Sequence, residues 1–276
     1  FFFVRHIFFW YFVTPNLLKM CFTEYMSWFM TVAGVGGGLF IYRYIPNMKF
    51  IANVMFYFAI MECLQGLTYL VIDECSFWNK VLTALGGIHI CFQPLVTSYM
   101  AAMEHEDPKM KAKFWFMCRL SVIGGLLMFF RVFFEINGIT KSVRNSCEYT
   151  PYEVEPLRGQ EMCTVRGKYH MAWNFPAADV SYYFPSMNMH AFLSFAPFFA
   201  HPEDPVMVVK GAMLMLTGPI VAEYFSGPNK GEVAAIWCLY SVGHLFTAAM
   251  VHFFLVNKGR TGNEVEDDVS EPKKVK

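Results

Sequence analysis

The chain has 276 residues, 55% of them hydrophobic and 16% charged, an apolar share above that of an ordinary soluble domain, so a lipid bilayer is the solvent that suits it. Its 22 lysines and arginines balance 22 aspartates and glutamates, which leaves no basic field for nucleic acid, and nucleic-acid binding is set aside. One helical bundle accounts for the length, since seven spans of about 20 residues and their connections nearly exhaust it.

Residues 1–19, FFFVRHIFFWYFVTPNLLK, precede the first methionine, Met20, and read as an extension ahead of the domain; the apolar run Ile7 to Val13 is too short to span. Over residues 20–257, hydropathy resolves seven segments, at 25–44, 50–72, 81–103, 114–136, 180–200, 206–225 and 232–256, each near the length that crosses a hydrocarbon core. Breakers or charges separate them: Pro46-Asn47, Asp73-Glu74, Glu104 to Lys113, Pro202 to Pro205, and Gly227 to Gly231. Only the connection over 137–179 is long. Residues 258–276 form a charged tail with too few apolar side chains to fold alone. The expected fold is all-α, an integral membrane bundle of about seven transmembrane helices.

Lysine and arginine are unevenly divided between the two ends of these segments. Arg43, Lys49, Lys109, Lys111, Lys113, Lys258 and Arg260 fall on one side, Lys80 and Lys230 on the other. By the positive-inside rule the richer side is cytoplasmic, which puts the C-terminal tail in the cytoplasm and the N-terminus and the long loop outside. Either the plasma membrane or an endomembrane with an oxidising outer side fits. Cys147 and Cys163 lie in the outer loop and Cys75 at the outer end of the second span, where a disulfide is permitted. Cys147–Cys163 is the preferred pair and Cys75 the competing partner. Cys63, Cys91, Cys118 and Cys238 fall within spans and read as core residues.

Ionisable groups inside a span usually face the bundle interior and mark a site. Here they are Glu62, His89, His190 and His244, with Gln65 and Gln93 beside them. At about 1.5 Å of rise per residue, Glu62 lies roughly 18 Å from the inner edge of span two. His89 lies roughly 12 Å from the outer edge of span three, which is the same level in a core of about 30 Å, and His190 and His244 reach that level within about 3 Å. Glu62 and Gln65 share a helix face, as do His89 and Gln93. Trp237, Ser241, His244 and Ala248 share another, and Ser186, His190, Ser194 and Pro197 a third. Pro94 and Pro185 free backbone carbonyls nearby, so a polar midplane pocket is expected.

Three readings of that pocket stay open. In an enzyme, His89, His190 and His244 hold a metal, Zn²⁺ being the ion that suits them, and Glu62, His89 and His190 are the catalytic groups, with Glu62 handling protons. Its substrate would be lipid-like and enter sideways for hydrolysis. In a transporter or receptor, the same pocket binds a small solute or proton, with Gln65, Gln93, His170 and Trp173 as ligand-binding side chains. In an accessory subunit, the polar groups only hydrogen-bond between helices. No HExxH spacing occurs, so no established metal motif supports the first reading.

Gly34 and Gly38 form a GxxxG suited to close helix packing. Arg131 and Glu135 form an i,i+4 pair, and Lys210 and Glu223 lie towards opposite ends of span six, where they can snorkel. His170 sits beside Trp173 just outside the membrane, an interfacial anchor or a cap on the pocket's outer mouth.

The blocks Met20-Cys21-Phe22, MECLQGLTYLVIDEC (61–75), GIHICFQP (87–94), MCTVRGKYHMAWNFP (162–176) and AAIWCLYSVG (234–243) occur in that order. Through them the chain resembles an uncharacterised multi-pass membrane family, a domain of unknown function found in eukaryotes, bacteria and large viruses. The resemblance runs from Met20 to Val256 and implies a membrane protein with no assigned activity. A start at Met20, with that Met removed, would leave Cys21 as an N-terminal thiol. The seven-spanning ceramidase-like hydrolases are similar only in outline: their paired histidines four apart in the last span are missing, since Ala248 follows His244.

Overall fold

Helices occupy most of residues 24–133, 162–175, 187–199, 205–227 and 230–245, the parts of the chain described by the computed structural model. The extension over 1–19, the Met20-Cys21 start and the tail over 258–276 lie outside the described residues. The helices are α1 (Glu24–Tyr44), α2 (Lys49–Tyr69), α3 (Phe77–Glu104), α4 (Pro108–Phe133), α5 (Met187–Phe199), α6 and α7 (Val233–Leu245). α6 runs through Pro205–Met215, a π-turn at Leu216–Ile220 that contains Pro219, and Val221–Ser226. The 3₁₀ turns Pro46–Met48 and Lys230–Glu232 lead into α2 and α7.

Four of these helices are long and apolar enough to cross a membrane: Lys49–Tyr69, Phe77–Glu104, Pro108–Phe133 and Met207–Ser226. α1 has 21 residues, but Ser27, Thr31 and the glycines of AGVGGG dilute its hydropathy. α5 and α7 are shorter over the described residues. Side-chain caps set two of the starts. Ser76 accepts from the Asn79 N–H ahead of α3, and the Asp107 carboxylate accepts from Lys109 and Met110 N–H ahead of α4, with Pro108 at the first helical position.

α1 and α2 pack closely where the GxxxG falls. A Cβ on Gly34 would sit 2.9 Å from that of Ala59, and one on Gly38 would sit 2.5 Å from the Phe56 ring. The core divides along the bundle. Met48, Ile51, Met55, Phe58, Met100, Phe114, Phe198 and Met207 fill one end. Met61, Ile72, Ile90, Trp173, Phe175 and Cys238 fill the other, and Phe195, Ile236 and Trp237 join α5 to α7. Lys210, expected to snorkel, instead pairs with Glu104 and ties α6 to the C-terminal end of α3. Arg131 is buried, and its expected partner Glu135 lies outside the described residues.

The chain is mostly helical, as expected, and part of the long connection forms a β-hairpin. β1 (Cys163–Arg166) pairs antiparallel with β2 (Met171–Asn174), in the register Cys163↔Asn174 to Arg166↔Met171. The turn closes through Gly167 N–H to the His170 carbonyl at 2.7 Å. The preferred Cys147–Cys163 pairing is corrected: Cys163 is bonded to Cys75, and Cys147 lies outside the described residues. The cause is docking. Asn79 donates to the Thr164 carbonyl and accepts from its N–H, both at 2.8 Å, as a neighbouring strand would, and the Thr83 and Thr164 hydroxyls meet at 2.6 Å. β1 is thereby laid against the start of α3, with Cys163 beside Cys75.

Candidate functional site

Burial of a polar side chain is costly unless it finds a partner, and the buried polar groups differ in whether they have one. They fall into two sets. The first lies where the hairpin meets the helices. Glu232, fully buried in the turn before α7, accepts from the backbone N–H groups of Lys168, Tyr169 and His170 at 2.7, 2.8 and 2.9 Å. The turn lies so close to this carboxylate that a Cβ on Gly167 would fall 2.3 Å from it, which requires glycine there. On the strand side, Asp73 accepts from Arg166 N–H at 2.6 Å and pairs with its guanidinium at 3.4 Å.

The same turn carries His170 inward. Its Nε2 lies 2.6 Å from Gln65 Oε1 and its Nδ1 lies 2.8 Å from the Tyr69 hydroxyl. With Gln65 Oε1 as acceptor, Nε2 carries the proton and Nδ1 accepts from Tyr69. Ser27 of α1 donates to the same Gln65 oxygen at 3.5 Å. His170 and Trp173 are both buried, each 2% exposed. Trp173 packs into the cluster with Met61, Ile90 and Cys238.

The second set lies within the bundle. Glu62 and Gln65 of α2, His89 and Gln93 of α3, and His190 of α5 are all buried. Neither oxygen of Glu62 has a hydrogen-bond partner among the described residues, and neither do Gln65 Nε2, His89 Nε2, Gln93 Nε2 and His190 Nε2. Aromatic rings hold the histidines. His89 stacks on Tyr57 with centroids 3.7 Å apart, and the Tyr57 hydroxyl donates to the His89 carbonyl next to the break made by Pro94. His190 stands edge-on to Trp237 at 6.2 Å. Its neighbour one turn on, Ser194, bonds back to the His190 carbonyl, as Ser241 does to Trp237.

His244 departs from the expected set. It is half-buried and lies over Tyr240 at 6.2 Å. Among the described residues no group of three or more His, Cys, Asp or Glu side chains could hold a metal ion. Each imidazole is turned to its own aromatic partner, so the interior offers hydrogen-bonding atoms without a chelating geometry. Sequence reasoning missed Ser27, Tyr69, Asn79, Thr83 and Glu232. Of these, Ser27 and Tyr69 carried a signal, since each falls on the same helix as a polar group already singled out or faces it.

No curated protein and no solved structure matches the chain. A family profile matches residues 25–255, so the chain belongs to a family of unknown function, DUF5765.

Proposed function

We propose that the protein is a multi-pass membrane protein that binds a small polar ligand inside its helix bundle, as a transporter or receptor does. The observation that carries this is the unmatched set of polar atoms on Glu62, Gln65, His89, Gln93 and His190. A buried polar atom left without a partner costs about 1–3 kcal/mol, so a bundle that keeps six of them has a use for them. A bound solute that presents complementary donors and acceptors removes that cost. The metal-dependent hydrolysis of a lipid-like substrate calls for a gathered ligand set, and ligand binding does not.

Membrane residence is supported by the four span-length helices and by the apolar side chains turned outward on α1, Tyr25, Phe29, Val32 and Phe40 among them. Seven spans, with the N-terminus outside and the C-terminus cytoplasmic, agree with two features. Arg43, Lys49, Lys109, Lys111 and Lys113 flank the α1–α2 and α3–α4 connections, at one end of α2 and α3. The Cys75–Cys163 bond lies at the other end, which suits an oxidising compartment and so the outer face of a plasma membrane or endomembrane.

The test is a solute screen on the purified full chain, read by thermal unfolding. A ligand of this site raises the unfolding midpoint of the wild type and loses that effect in Glu62→Gln and Gln93→Met. Stabilisation that persists unchanged in both variants would overturn the reading.

A further inference from the structure

We propose that the ligand is a small organic cation, an amine whose ammonium group is received by the Glu62 side chain; this rests on the ligand-binding reading above. The unmatched groups differ in charge and in hydrogen-bonding capacity. Of the unmatched groups, Glu62 is the one carboxyl, and it is fully buried on α2 with both oxygens unpaired among the described residues. The others supply amide N–H donors, from Gln65 and Gln93, and imidazole nitrogens, from His89 and His190. No lysine or arginine is among them.

Three basic side chains near the ends of the bundle are engaged elsewhere. Lys210 is paired with Glu104, Arg166 with Asp73, and Lys49 lies over the Tyr42 ring. Among the described residues no ion pair reaches Glu62.

This set of groups separates three classes of ligand. An anion would bring a second negative charge to a carboxyl in low dielectric with no cation to offset it. A neutral polyol would meet the carboxyl through hydrogen bonds alone and draw nothing from its capacity for charge. An ammonium group cancels the charge and offers up to three N–H donors to two oxygens that have none. An acceptor elsewhere on the same molecule, a hydroxyl or a carbonyl, would then meet the amide N–H groups of Gln65 and Gln93. The surroundings suit such a ligand. The Trp28 ring of α1 packs against Gly66, one turn along α2 from Glu62, and Tyr57 and Trp237 back the two histidines. Aromatic faces attract alkylammonium groups.

A matched series tests this on the full chain in detergent or nanodiscs. Ethanolamine and choline serve as amines, ethylene glycol as the neutral counterpart and glycolate as the anion, each titrated against the unfolding midpoint. The expected result is stabilisation by at least one amine, none by glycolate, and an affinity at least tenfold weaker in Glu62→Gln. Glu62→Asp keeps the charge, so it retains the preference for amine over glycol at reduced affinity; it serves where Glu62→Gln does not fold. Stabilisation by ethylene glycol equal to that by the amines, and lost in Glu62→Gln, overturns the amine class and leaves the binding site standing. Stabilisation by glycolate overturns it as well. No shift with any of the four overturns the amine class, and no shift across the wider solute screen overturns the site itself.

Discussion

In the hairpin, one carboxylate takes three backbone N–H groups, one asparagine pairs with both backbone groups of Thr164, and a disulfide closes the strand onto the α2–α3 connection. In the bundle interior, a few residues away, a carboxyl, two amides and two imidazoles of similar burial hold atoms with no partner. Gln65 belongs to both regions, since its oxygen is taken by His170 and Ser27 while its nitrogen stays unmatched. The difference separates two uses of buried polarity. Matched groups fix a shape, and their loss is paid in stability; on the ligand-binding reading proposed above, the loss of unmatched groups falls on binding instead.

That contrast can be broken by substitution. The largest effect is expected for Cys75→Ser with Cys163→Ser, which frees a loop with a sequence separation of 88 and lowers unfolding free energy by about 4.6 kcal/mol on the loop-closure account. A reductant should reproduce this in the wild type and do nothing further to the variant. Next comes Glu232→Ala, which strands three N–H groups and should cost about 3 kcal/mol or more in equilibrium unfolding, with Glu232→Gln recovering part of it. Asn79→Ala removes two hydrogen bonds to Thr164 and should cost about 2 kcal/mol. The smallest effect is expected inside the bundle. Gln93→Met, which replaces an unmatched amide by an apolar group of similar volume, should leave stability within about 1 kcal/mol of the wild type or raise it. A loss there as large as that of Asn79→Ala would erase the distinction.

Hydropathy found the helices because lipid-facing and core positions are both apolar, and it missed where they start because first turns are polar. α4 begins at Pro108, ahead of the expected 114, since Lys109, Lys111 and Lys113 belong to its opening turns, which are capped by Asp107. The same logic made Glu62, His89, Gln93 and His190 visible, each being a polar residue in an apolar run. It could not tell that His244 turns to Tyr240, because helical spacing gives a face and not a rotamer. The hairpin was hidden for another reason. Each strand has four residues, and Met171, Ala172 and Trp173 are all buried, so no alternation of polar and apolar marks the sheet. Its anchors, Asn79 and Glu232, come from distant parts of the chain, where each reads as an ordinary polar residue near a helix start.

The bond between Cys75 and Cys163 also closes a covalent ring that contains α3 and α4. A protease that nicks the peptide chain anywhere inside that ring opens it without dividing the molecule. The nicked protein migrates as one band without reductant and as two with it. Sulfur then carries the continuity that the backbone has lost, and the hairpin stays tethered to the helices it caps.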